Sequence, residues 1–123
     1  MNYNGELSTI MKYDSDLDLL HIYNKLLTIN DKIFKKHKFK LKDIRTVNPK
    51  YQGYESFCIK SNYEKLTMKL EVRINYYKDE DNKCLLDNIK VKLSGKNILS
   101  DELIGISNII NKVFKGDCEN DNK

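Results

Sequence analysis

Glu64-Lys65-Leu66-Thr67-Met68-Lys69-Leu70-Glu71-Val72-Arg73-Ile74-Asn75-Tyr76-Tyr77 is the stretch that decides the fold. Leu66, Met68, Leu70, Val72, Ile74 and Tyr76 alternate with Lys65, Thr67, Lys69, Glu71, Arg73 and Asn75. Successive side chains of a strand point to opposite faces, so this is a strand with one apolar and one polar side. Such a strand belongs to an antiparallel sheet with one buried face and one wet face. Leu66, Leu70, Val72 and Ile74 are its expected core residues.

The two-residue period continues on both sides. Tyr54 to Ser61 reads as the preceding strand, joined by a tight hairpin at Asn62-Tyr63. Phe39 to Val47 reads as the first strand, with a bulge near Asp43 where the alternation breaks. Between them, Asn48-Pro49-Lys50-Tyr51-Gln52-Gly53 has the turn chemistry of a loop. Lys78 to Lys83 is a charged hairpin loop, and Cys84 to Ser94 is a fourth strand with Ile89, Val91 and Leu93 facing in. Gly95-Lys96-Asn97 then makes a turn. In residues 1–13, Leu7, Thr9 and Met11 alternate weakly, which fits a short edge strand or a frayed end.

Helical spacing brackets this run. From Ser15, Leu19, Ile22, Tyr23, Leu26, Ile29, Ile33 and Phe34 recur every three or four residues. They predict a helix of about two dozen residues. Ser15 is placed to cap it, Asp16 and Asp18 to meet its positive end, and Lys35, Lys36 and His37 to meet its negative end. Asn30 falls inside the apolar arc, either facing a partner or hydrogen-bonded in the core. Ser100 caps a second helix that opens on Asp101 and Glu102 and runs to about Lys115, with Gly116 as its stop. Short connections favour neighbouring antiparallel strands. The expected fold is α+β: a two-layer sandwich in the order α-β-β-β-β-α, its four-stranded antiparallel sheet carrying both helices on one face.

The chain has 123 residues, 40% hydrophobic and 33% charged, which suits one domain over residues 1–123 with a polar tail at 117–123. No apolar run approaches the roughly 20 residues that span a bilayer. No basic segment followed by an apolar one marks a signal peptide at Met1 to Tyr13. Cys58, Cys84 and Cys118 are odd in number and widely spaced, which fits free thiols in a reducing compartment. The expected location is the cytoplasm. Lysine, asparagine, isoleucine and tyrosine, all with AT-rich codons, dominate the composition, and a bacterial or phage origin is expected.

Catalytic patterns are missing. There is no glycine-rich phosphate loop, nucleophile elbow or H-E-x-x-H. His21 falls on the polar side of the first helix and His37 at its end, and neither sits near a cysteine at zinc spacing. Asp79-Glu80-Asp81 lacks the spaced ligands and glycine of a calcium loop. Cys58 is expected on the wet face. No enzyme activity, cofactor or metal is expected.

The wet face is the most informative feature. Lys38, Lys40, Lys42, Lys60, Lys65, Lys69, Arg73, Lys90 and Lys92 are all expected to point outward, with Glu71 alone clearly opposing them. Net charge is only +4, so this placement segregates charge by side. A basic face attracts an acidic protein surface or a nucleic acid, and it is equally what a solvated antiparallel sheet requires. Tyr51, Tyr54, Tyr63 and Tyr77 near loops and strand ends could supply stacking from the rim, and Tyr51, Tyr54 and Tyr63 are the candidate rim aromatics. On the second helix, Leu103, Ile104, Ile106, Ile109, Ile110, Val113 and Phe114 span roughly 220° of the circumference at about 100° per residue. The surplus is covered by the first helix, or Ile104 and Ile109 mark a homodimer contact. The leading expectation is a non-catalytic protein-binding accessory or inhibitor-type module that occupies a partner's surface. The alternative is a nucleic-acid-binding accessory protein using the lysine face.

Overall fold

A computed structural model of the chain describes residues 2–17, 19–47, 50–51, 54–78, 81 and 84–115. Its elements are β1 (Asn2–Asp16), α1 (Leu19–His37), β2 (Lys40–Val47), β3 (Lys50–Tyr51), β4 (Tyr54–Lys65), β5 (Met68–Lys78), β6 (Cys84–Leu99) and α2 (Ser100–Lys115). The sheet is antiparallel throughout, with strand order β1-β6-β5-β4-β2. Two-residue β3 adds to β4 beyond the end of β2. The expected four strands are therefore five, because residues 2–16 form a full strand rather than a short or frayed one.

β1 is hard to read because its alternation is scrambled. Leu7, Met11 and Tyr13 lie against the core, but Thr9 shares their side and Ile10, 55% exposed, takes the opposite one. Register pairs it with Leu93, Val91 and Ile89 of β6 across more than a dozen residues, and that pairing supplies what local pattern lacks. Ser15 and Asp16 belong to this strand, so they do not cap α1, which is 19 residues long with no acid in its first turn. Asp18 lies outside the described residues, as do Asp79, Glu80, Gly116 and the tail.

One core joins sheet and helices. Leu70, Val72, Ile74 and Tyr76 of β5, Ile89, Val91 and Leu93 of β6, and Ile59 and Tyr63 of β4 are buried on the inner side. Ile22, Leu26, Ile29 and Ile33 of α1 and Leu103, Ile106, Ile110, Val113 and Phe114 of α2 complete the same cluster. α2 packs against β1, β6 and α1 at once, which accounts for its wide apolar arc, and α1 packs against α2 and β2. Asn30 accepts a hydrogen bond from the Tyr63 hydroxyl, so the polar group inside the α1 arc is satisfied. Gly105 admits the His37 ring: a Cβ there would sit 3.0 Å from His37 Cε1.

Two turns differ from expectation. The β4–β5 hairpin turns at Leu66-Thr67, not Asn62-Tyr63, so β4 runs on through Lys65. Leu66 takes a positive φ of 53° and is 96% exposed instead of buried. Gly95-Lys96-Asn97 does not end β6. Gly95 (φ 129°) and Asn97 (φ 58°) kink the strand while it stays paired, Gly95 lying opposite both Met68 and Gly5. Thr67 O would lie 2.3 Å from a Cβ on Gly95, so only glycine lets the hairpin approach β6 this closely. Among the described residues, no helix is long and apolar enough to cross a membrane.

Candidate binding face

The ladder register sorts the outer face into rows across the strands. Lys90 of β6 pairs with Arg73 of β5, Arg73 with Lys60 of β4, and Lys60 with Arg45 of β2. Four cations thus stand side by side in one row, about 14 Å long at the ~4.8 Å spacing of strands. The next row reads Ser8, Lys92, Glu71, Asn62 and Asp43, and the one beyond it Glu6, Ser94, Lys69, Glu64 and Lys40.

Arg45 is in the row because of a bulge. The β2–β4 register slips between Leu41 and Asp43, as expected from the break at Asp43. One extra residue reverses the parity of everything after it, so Arg45 rather than Ile44 faces out. The expected basic set lacked Arg45 for this reason, although the broken alternation carried the signal.

Acids are woven into the face more densely than expected. Arg73 Nε donates to Glu71 Oε2 at 2.6 Å, Lys42 Nζ to Glu64 Oε1 at 2.9 Å, and Arg45 Nη2 lies 3.4 Å from Asp43 Oδ2. The hydrogen bond from Asn62 Nδ2 to Asp43 Oδ1, 2.6 Å, holds the Asp43 carboxyl below the usual carboxylate range, with Arg45 adding to it. The Glu64 hydrogen bond and charge hold Lys42 above the usual lysine value. The ion pairs described on this face reach Lys42, Arg45 and Arg73, not Lys60, Lys69, Lys90 or Lys92. A shallow hollow of about 250 Å³ opens among Lys42, Asn62, Glu64, Lys69, Glu71 and Lys92.

Three expected site residues lie elsewhere. Lys65 does not belong to the basic face. With the turn at Leu66-Thr67, Lys65 pairs with buried Met68 and turns inward. Its Nζ sits 4.5 Å from the centre of the Phe39 ring and donates to Glu102 Oε2 at 2.5 Å. His37 Nδ1 is 3.7 Å from the same carboxylate oxygen. This cluster fastens the hairpin and the end of α1 to the start of α2. Tyr63 is not a rim aromatic but is 1% exposed, and burial pushes its phenol well above the usual value. Ile109 is buried, while Ile104 is 55% exposed.

Cys58 has the outward parity of Lys60, yet it is 4% exposed, and burial pushes its thiol pKa up. The expected wet thiol is a protected one. Lys38 is exposed in the link between α1 and β2, with φ 64°. The side chains of Tyr51 and Tyr54 lie outside the described residues. Among the described residues no group of His, Cys, Asp and Glu is gathered as a metal site. No protein-family model matches the sequence, and a search of curated proteins finds none significantly similar to it.

Proposed function

We propose that this chain is a non-catalytic binding module that docks its outer sheet face on an acidic surface of a larger protein. The observation that carries the reading is the row Arg45, Lys60, Arg73 and Lys90, held in direct cross-strand register. Like charges placed opposite one another destabilise a sheet, and an acidic partner relieves that repulsion on binding. The body behind it is a two-layer sandwich whose two helices both back the inner face, working in the cytoplasm.

A protein partner is favoured over nucleic acid by what surrounds the row. Single-strand binders stack bases on aromatic side chains. The described positions of the rows through Arg73, Glu71 and Lys69 carry none, and Tyr77, on the outer parity of β5 opposite Ser56, lies two rows from Arg73. Tyr63 is buried, and Phe57 and Tyr76 stack on each other at 5.2 Å. The interleaved Glu71, Asp43 and Glu64 also work against a phosphate backbone, whereas mixed charge suits a patterned protein surface.

The test is the double charge reversal Lys60→Glu, Lys90→Glu. Its fold should be unchanged by circular dichroism, because neither residue is in the core. Affinity capture from source-cell extract should recover a defined protein partner with the wild type and lose it with the variant. Partner recovery that survives the reversal sinks the reading. Tight binding to generic oligonucleotides, with affinity falling tenfold or more between about 50 and 200 mM salt, replaces it with the nucleic-acid function.

A further inference from the structure

We propose that α1 pairs antiparallel with α1 of a second copy of this chain, about a two-fold axis near Leu27. α1 has two apolar stripes. Ile22, Leu26, Ile29 and Ile33 fill the core. Leu20, Leu27 and Phe34, spaced by seven, form a second stripe with Tyr23, and they are 69%, 65%, 47% and 38% exposed in that order. A seven-residue spacing with a further member three residues on is the seam of a helix that packs against another helix.

The patch widens onto the neighbouring strand. Leu41 pairs with Tyr63, whose hydroxyl meets Asn30 of α1, and Ile44 pairs with buried Ser61. Both therefore lie on the inner side of edge strand β2, beside α1, and both remain about two-fifths exposed, at 41% and 40%. Together the six side chains leave open about three whole side chains' worth of apolar surface. At roughly 150–200 Å² each, that is on the order of 500 Å² per copy. It doubles to about 1,000 Å² in a two-fold pair, the size at which specific interfaces begin.

Self-complementarity selects a second copy as the occupant. A two-fold contact joins one patch to itself. An antiparallel pair centred on Leu27 sets Leu27 against Leu27 of the partner subunit, and Leu20 against Phe34 of the partner subunit, filling the seam along its length. Charge agrees with this direction. The last turn of α1 carries Lys35, Lys36 and His37, and its first turn carries no acid. Parallel pairing would set the two basic ends together, while antiparallel pairing keeps them apart. On α2 only Ile104 is among the exposed large hydrophobics, which leaves no comparable seam there.

Sedimentation velocity over about 1–100 μM should show a monomer–dimer equilibrium. Leu27→Asp, which places two carboxylates on the axis, should raise the dimer dissociation constant at least tenfold with an unchanged far-UV spectrum. In a Cys84→Ser, Cys118→Ser background, Leu27→Cys should form a self-disulfide under mild oxidation, whereas Leu66→Cys should not. A monomer at every concentration overturns the proposal. So does a dimer that ignores Leu27→Asp but separates with Ile104→Lys, which would place the contact on α2.

Discussion

Leu66 and Leu70 lie four residues apart in a stretch whose alternation gives them the same fate, yet they are 96% and 1% exposed. Truncating each to alanine therefore separates two accounts of the β4–β5 turn. Leu70→Ala removes three buried carbons from the centre of β5, where Tyr63 and Leu93 flank it across the ladder. The lost transfer energy plus the residual cavity gives a cost of about 3 kcal/mol, within the 2–5 kcal/mol range of buried leucines. For a domain of this size that lowers the melting temperature by roughly 10 °C or more. Leu66→Ala removes nothing from the core and keeps the Cβ in its left-handed conformation, so its cost should stay under about 0.5 kcal/mol. Leu66→Gly removes the left-handed penalty of about 1 kcal/mol and gives back a similar amount through the looser unfolded chain. It should be close to neutral. Urea unfolding followed by circular dichroism reads all three. A cost above about 1.5 kcal/mol for Leu66→Ala would place that side chain in the core and move the turn back to Asn62-Tyr63.

Gly95→Ala should be far worse than an ordinary strand substitution. Its φ of 129° suits glycine, and the new Cβ would lie 2.3 Å from Thr67 O, so a loss on the order of 3 kcal/mol is expected by thermal unfolding. Alkali should also unfold the protein. Burial pushes the Tyr13 phenol up to about 12 and raises Tyr63 as well, so the folded state keeps protons that the unfolded chain releases near pH 10. Stability is then full below about pH 10 and is lost as pH rises through the folded values. Phenolate absorbance should rise together with unfolding, and Tyr13→Phe should flatten the decline between about pH 10 and 12. That variant also loses the 3.0 Å hydrogen bond to Asn111 Oδ1, so it starts from a lower stability at neutral pH.

Periodicity made both helices, the inner residues of β5 and β6 and the bulge at Asp43 legible in the sequence. Each rests on many residues repeating one pattern. What escaped rests on single residues whose role is set by distant partners. Thr9 and Ile10 exchange the faces their polarity suggests, and only pairing with β6 makes β1 a strand. Asn62 looks like a turn residue, but its amide is committed to Asp43. Leucine is a poor choice for a left-handed position, so nothing local marked Leu66-Thr67 as the turn. Of the candidate face, the lysines of β5 and β6 followed from parity alone. Lys65 was misplaced by the shifted turn, and Arg45 was hidden by the bulge.

The closing of the sheet by β1 against β6 has a consequence for how the chain is made. Met11 and Ile89 are ladder partners, yet about two-thirds of the chain separates them in sequence. A ribosome adding about 5–20 residues per second takes on the order of 4–16 seconds to travel from one to the other. For that interval β1 is synthesised but has no neighbour, with Leu7, Met11 and Tyr13 open to whatever the nascent chain meets. β2, β4 and β5 can assemble a meander in the meantime, because each pairs with a strand close in sequence. The docking of β1 must then wait for β6, the partner strand made last, which leaves it long exposed to interference. Bulk fused ahead of Asn2 should slow maturation more than the same bulk placed after Lys115.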